Sequence, residues 1–184
     1  ANAAMLLGAF GTQQDVRLLR EASSSPFAPG TPEAQRRIVE FGFAVAAAEL
    51  GDPDALESVR AGVFAPEEQG ELALLACEAL GTLGDQTYAG VLEERAFRAA
   101  SGEIPLEIGL AAAGAVSQLR PEMAPVEWIV ESGSHEQPLI RQQAAAVLGL
   151  TAGSEAEVQL LAMLQDPDPL VRASAAVSVL RRGR

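Results

Sequence analysis

The sequence contains no lysine: all 13 basic residues among its 184 are arginine. Schiff-base chemistry and the lysine of a phosphate-binding P-loop are therefore excluded. Cysteine is nearly absent too, and the single Cys77 permits no internal disulfide. Aromatic residues make up only 4% of the chain while hydrophobic residues reach 48%, so a core must be built from Ala, Leu and Val rather than from rings. Small side chains suit closely stacked helices, and alanine is the strongest helix former because it loses no rotamer entropy on folding. No apolar run approaches 18 residues, which removes the expectation of a transmembrane helix. Positive charge is scarce as well: the formal net charge is -12, and so acidic a chain repels polyphosphates and argues against nucleic-acid binding.

What is present points to one domain spanning 1–184, long enough to bury about 70% of its unfolded surface. The chain opens on Ala1, with ANAAMLLGAFG in helical register and no charged n-region, so the expectation is a piece of a longer chain, with cytoplasm as the default compartment. Prolines stand near the start of successive alanine-rich segments at Pro32, Pro66, Pro105, Pro138 and Pro169, at spacings of 34, 39, 33 and 31 residues. Nearly constant spacing of similar units is the signature of a repeat protein. The segments after these prolines (FGFAVAAAELG, ELALLACEALG, IGLAAAGAVSQL, IRQQAAAVLGL and VRASAAVSVL) read as helices of small apolar residues. Shorter amphipathic segments lie between them, and in the last of these Val158, Leu161 and Leu164 recur every three residues on one helical line.

The stretch LQDPDPLVRASAAVSVL, residues 164–180, shows how the units join. Asp166 and Pro167 end one helix, Asp168 caps the free N–H groups of the next, and Pro169 sits where a missing N–H costs little. A tight corner between antiparallel helices is predicted there.

These residues resemble the HEAT repeat family, above all its short bacterial form with the rhythm D-x-x-x-V-R-x-x-A-A-x-x-L. Asp168 and Val171-Arg172 match that rhythm, as do Ile140-Arg141 with Ala144, Ala145 and Leu148. Earlier copies read Leu72-Ala73 and Ile108-Gly109 at the V-R pair, so the resemblance spans almost the whole chain but is close only in the last two units. It implies an all-α fold, a right-handed α-solenoid of about five stacked antiparallel helix pairs, in which neighbouring pairs must stack to hide their apolar faces.

The resemblance also brings candidate chemistries. Deoxyhypusine hydroxylase, a HEAT family, places iron-binding His-Glu pairs in its second helices; the matching columns here hold Leu74-Leu75, Leu110-Ala111, Gln142-Gln143 and Ala173-Ser174. The lone His135-Glu136 pair falls seven residues too early, so no metal or other cofactor is expected. Cys77, between Ala76 and Glu78 with no basic neighbour in sequence, reads as a small buried hydrophobe rather than a thiolate nucleophile. Alkylated-base DNA glycosylases of this architecture need a basic groove that this chain lacks. Phycobilisome lyases, which attach bilins to other proteins, are an alternative with no discriminating residue here.

Charge is unevenly spread, since residues 66–137 carry 13 acids against 3 arginines, a net -10 of the total -12. After Pro66 the line Glu67, Glu71, Leu74 and Glu78 runs in steps of four, three and four, apart from the apolar stripe Leu72, Leu75, Ala76, Ala79 and Leu80. Matching Leu80 to Val116 places Glu103, Glu107 and Leu110 at the equivalent positions of the next unit. Two accounts fit this acidic line: a solvated face whose early acids favour helix N-termini, or a groove for a basic, partly apolar segment of another protein. The expected function is thus a noncatalytic scaffold or adaptor that binds a protein partner, without nucleic acid or membrane. A lyase-like or chaperone-like factor and a structural spacer are the alternatives.

Overall fold

The computed structural model describes residues 2–183, with the side chains of Asn2 and Glu67 outside that description. Among the described residues there are eleven α-helices, four short 3-10 turns and no strand, so the protein is all-α. The chain divides into two compact units, Ala1–Leu83 and Gly84–Arg184.

The first unit holds α1 (Asn2–Phe10), α2 (Val16–Ser23), α3 (Glu33–Glu49), α4 (Pro53–Gly62) and α5 (Gly70–Leu83). The long α3 is its hub, packed by α1, α2, α4 and α5. Its apolar centre joins Ala4, Leu19, Ala46, Ala47 and Ala55 from four helices, with Leu7, Phe43 and Leu50 packed against them. Small side chains allow this close approach: a Cβ at Gly62 would lie 3.0 Å from both Ala76 Cβ and Phe41 Cε2.

At the α3–α4 corner Gly51 takes a φ of 87°, and Asp52 donates its backbone N–H to the Ala47 carbonyl at 3.0 Å. That reversed turn satisfies carbonyls that the helix end leaves open and requires the left-handed conformation that glycine adopts freely. Asp52 then caps α4 through the Asp54 N–H, with Pro53 at the first helical position. Arg20 grips the Asp52 carboxylate with two hydrogen bonds, Nε at 2.9 Å and Nη2 at 2.7 Å. Burial pushes the Asp52 carboxyl up, but the hydrogen bonds and charge of Arg20 outweigh it and hold the group below its ordinary value.

The second unit holds α6 (Ala89–Ala100), α7 (Leu106–Leu119), α8 (Val126–Ser132), α9 (Pro138–Leu148), α10 (Ser154–Met163) and α11 (Pro169–Arg182). Within it α7 packs on α6 and α9, α9 packs on α11, and α8 packs on α10. Helix α7 (LEIGLAAAGAVSQL) is apolar nearly all round, and eleven of its fourteen residues are buried. Gly109 is indispensable to its contact with α6, because a Cβ there would lie 2.0 Å from Ala99 Cβ. This is one of the positions where the V-R rhythm fails, and the structure fills it with a helix crossing instead.

Where the rhythm holds, its arginine is a corner clamp. Arg141 donates Nη1 to the carbonyls of His135 and Glu136, both at 2.9 Å, and reaches Asp166 with Nε at 2.7 Å and Nη2 at 2.9 Å. The pair is well covered, the two side chains being 12% and 8% exposed. Arg141's hydrogen bonds hold the Asp166 carboxyl below its ordinary value. The corner itself forms as its residues dictate: Asp168 accepts the N–H groups of Leu170 at 2.8 Å and Val171 at 3.4 Å, and Pro169 opens α11.

Sequence periodicity and burial part company in α10. Val158 and Leu161 stay exposed, and the inner face is formed by Ala156, Leu160 and Met163. A step of three drifts around a helix of 3.6 residues per turn, and the face that packs is the one at steps of four and three.

Candidate functional site

The first unit opens a groove of about 510 Å³, bounded by α1, α3 and α5. Its floor comes from α3, where Ile38, Gly42, Val45 and Glu49 follow one another at steps of four, three and four on a single face. Met5 and Ala9 of α1 form one wall, and Leu75, Glu78, Ala79 and Thr82 of α5 form the other. The volume lies within the range of ligand-binding clefts, and the lining is mostly apolar with a few polar groups, the usual composition of such sites.

Gly42 governs the width of the groove. A Cβ built on it meets no atom within 4 Å, so the floor at this point is open space. Gly8, one turn from Met5, has the opposite character: a Cβ there would lie 1.9 Å from Glu49 Oε2. The missing side chain lets α1 pass directly over the Glu49 carboxylate.

Two carboxylates are set into this apolar lining. Desolvation raises both Glu49 and Glu78 above the ordinary glutamate value, and neither finds a cation or hydrogen-bond donor among the described residues. Both side chains keep exposed surface, so the cost of their charge is small, and a cation that enters the groove finds two free acceptors. The arrangement can therefore hold a positive group embedded in apolar surface. Among the described residues no three His, Cys, Asp or Glu side chains come together as metal ligands would. No helix of the described residues is long and apolar enough to cross a membrane.

The acidic line expected from the sequence is only partly realised. Glu71 and Glu78 are exposed on α5, and Leu74 is half-buried beside them. Glu78 joins the groove, while Glu71 lines a smaller neighbouring recess with Arg37 and Ile38. Glu67 lies in a 3-10 turn, Glu67–Gln69, that precedes α5, and its side chain lies outside the described residues. The α-helix proper begins only at Gly70, after that turn. Glu103 likewise precedes α7; it sits in the α6–α7 connection, where it accepts from Arg98 Nε at 3.1 Å and from Ser101 Oγ at 3.0 Å. Glu107 is half-buried in the first turn of α7, its backbone carbonyl taking a hydrogen bond from Gln143.

Leu110 has no exposed surface at all, so it has nothing to offer a partner. Its helix is buried nearly all round, which leaves little outward line for an acidic ridge to follow. Glu67 to Glu78 belong to the first unit and Glu103 to Leu110 to the second.

Glu49 and the α3 face are groove-lining residues that sequence reasoning missed. The signal was present: Ile38, Gly42 and Val45 recur at helical spacing and end in an acid, with glycine where a core helix would carry a larger side chain. The other singled-out residues fall in ordinary places. Cys77 is fully buried, and His135 accepts the Gln137 N–H through Nδ1 in the α8–α9 connection.

No protein-family model matches the chain, and no curated protein matches it in sequence.

Proposed function

We propose that this protein is a noncatalytic adaptor or scaffold, whose first unit holds an amphipathic, basic helix of a partner protein in the α1–α3–α5 groove. The observation that carries this is the apolar groove whose lining includes two exposed carboxylates, Glu49 and Glu78, without a cation of their own among the described residues. A helix laid in such a groove buries apolar side chains against Ile38, Val45 and Leu75, and places arginine or lysine against the acids. Arginine is the better fit, since its guanidinium is weakly hydrated and bonds carboxylates through two donors. The net charge of -12 adds long-range attraction for a basic partner and stands against a phosphate backbone as the ligand.

Within this proposal the helical hairpins are HEAT-like repeats of a solenoid. The succession of α7, α9 and α11, the parallel contact of α8 with α10, and the α1–α3–α5 series of the first unit all support it. A reduced, fully buried Cys77 is compatible with a cytoplasmic setting.

The test is direct binding of a fluorescein-labelled 18-residue peptide of Leu, Ala and Arg with one apolar face, against a control with Glu in place of Arg. Anisotropy should rise for the basic peptide only, and the affinity should fall with added salt because exposed charges are screened beyond about 8 Å at physiological ionic strength. Gly42→Leu should abolish binding by filling the floor, and Glu49→Gln with Glu78→Gln should weaken it at least tenfold. Equal binding of both peptides, or binding untouched by Gly42→Leu, would overturn the proposal.

A further inference from the structure

The α1–α3–α5 groove continues through Ile38, which lines both cavities, into the smaller recess of about 60 Å³ beside it. Arg37 of α3 lines this recess, together with Glu68, Glu71 and Leu72. Nη2 of Arg37 reaches Glu33 Oε1 at 3.2 Å along its own helix. Its Nε is buried and, among the described residues, has no hydrogen-bond partner. Neither Glu68 nor Glu71 pairs with it, and the Gln69 amide in the same recess does not bond it. A buried donor left open costs the desolvation of its N–H, and an acceptor brought from outside recovers that cost.

The charges around the recess select the acceptor. A second arginine or a lysine would meet the Arg37 guanidinium, and a carboxylate would meet Glu68 and Glu71, both of which are exposed. A primary amide suits both signs at once: its oxygen accepts from Nε, and its NH2 group donates to a carboxylate. The small volume takes the end of one side chain, and a longer stretch of chain stays in the groove itself.

We infer that Arg37 is a specificity-determining residue of the groove, and that it reads a glutamine on the helix bound there. This rests on the basic-helix reading of the groove and adds a residue and a register to it. Glu71 of the recess and Glu78 of the groove lie seven residues apart on α5, which is two turns, or about 10 Å along the axis. A helix that runs along α5 with an arginine at Glu78 therefore carries its glutamine seven positions away on the same face. Apolar side chains between the two lie over Ile38 and Leu75, which line the stretch that joins recess and groove.

The test measures anisotropy with the full chain and the labelled Leu-Ala-Arg peptide. Two further versions carry one glutamine seven positions before or after the central arginine, and their controls carry methionine, an apolar side chain of similar shape, in its place. One of the glutamine versions should bind at least about tenfold tighter than its methionine control, the scale of a hydrogen bond to a charged group. Arg37→Lys keeps the charge but lacks the Nε donor, and it should remove this preference while the starting peptide still binds. Arg37→Met, which removes charge and donor together, should remove it as well. Equal binding of the glutamine and methionine versions, or a preference that survives both variants, would overturn the inference and leave solvent as the partner of Nε, with the groove untouched. A starting peptide that does not bind at all would overturn the basic-helix reading, and this inference with it.

Discussion

The two units of the molecule use their polar groups in opposite ways. In the second, arginines and hydroxyls are turned inward to join one helix pair to the next. Arg141 clamps Asp166, Ser117 Oγ meets Thr151 Oγ at 3.1 Å in a buried contact, and Arg182 bonds the carbonyls of Leu148, Thr151 and Gly153. In the first, Arg20 and Asp52 make a comparable pair, yet Glu49 and Glu78 are set in an apolar groove with no donor opposite them. The second unit thus joins its helix pairs through inward-facing polar groups, while the first leaves two acids of its groove without a donor among the described residues.

The largest break in this comparison should come from Asp166→Ala. It leaves a covered guanidinium without its carboxylate and should cost about 3 kcal/mol, measured by urea denaturation. A cost below about 1 kcal/mol would mean that the clamp does not hold the corner. Glycine substitutions sharpen the contrast next. Gly109→Ala drives a Cβ into Ala99 and should destabilise by about 1–3 kcal/mol. Gly42→Ala, by contrast, enters open space on a helix and should stabilise by up to about 1 kcal/mol. If both variants shift the urea midpoint in the same direction, the groove floor is not open as described.

Smaller effects follow from pH, and their signs differ. The Asp166 carboxyl is held low, so its stabilising contribution is present above its unfolded value and lost as pH falls through the folded one. Asp166→Asn should therefore lower the thermal midpoint at neutral pH and lose that effect in acid. The Glu78 carboxyl is held high by desolvation, so its charge costs stability above the folded value, and the cost is relieved as pH falls through it. Glu78→Gln should raise the midpoint slightly at neutral pH, with the gain vanishing in acid. Parallel pH profiles for the two variants would contradict the opposed roles.

Much of this architecture was legible in the chain itself. Alanine-rich segments at proline-marked intervals foretold an all-helical protein, and the DPDP corner formed with the predicted cap at Asp168. The V-R pairs marked real corner clamps because one guanidinium can satisfy two carbonyls and a carboxylate at once. The site was harder to see. Helical spacing links Glu67 to Glu78, but it carries no information on where a helix begins, and α5 begins at Gly70, after the turn that holds Glu67. Nor does spacing report that α7 is enclosed, which removes Leu110 from the surface. The groove depends on side chains of α1, α3 and α5 meeting in space, and on the absence of a side chain at Gly42. Pairwise encounters of that kind have no local period to betray them.

The most direct measurement is methyl NMR of the protein titrated with the basic Leu-Ala-Arg peptide. The account predicts shift changes gathered on Met5, Ile38, Val45 and Leu75, with Leu160 and Val171 of the second unit unmoved. Changes scattered over both units, or absent from the α3 methyls at saturation, would contradict it.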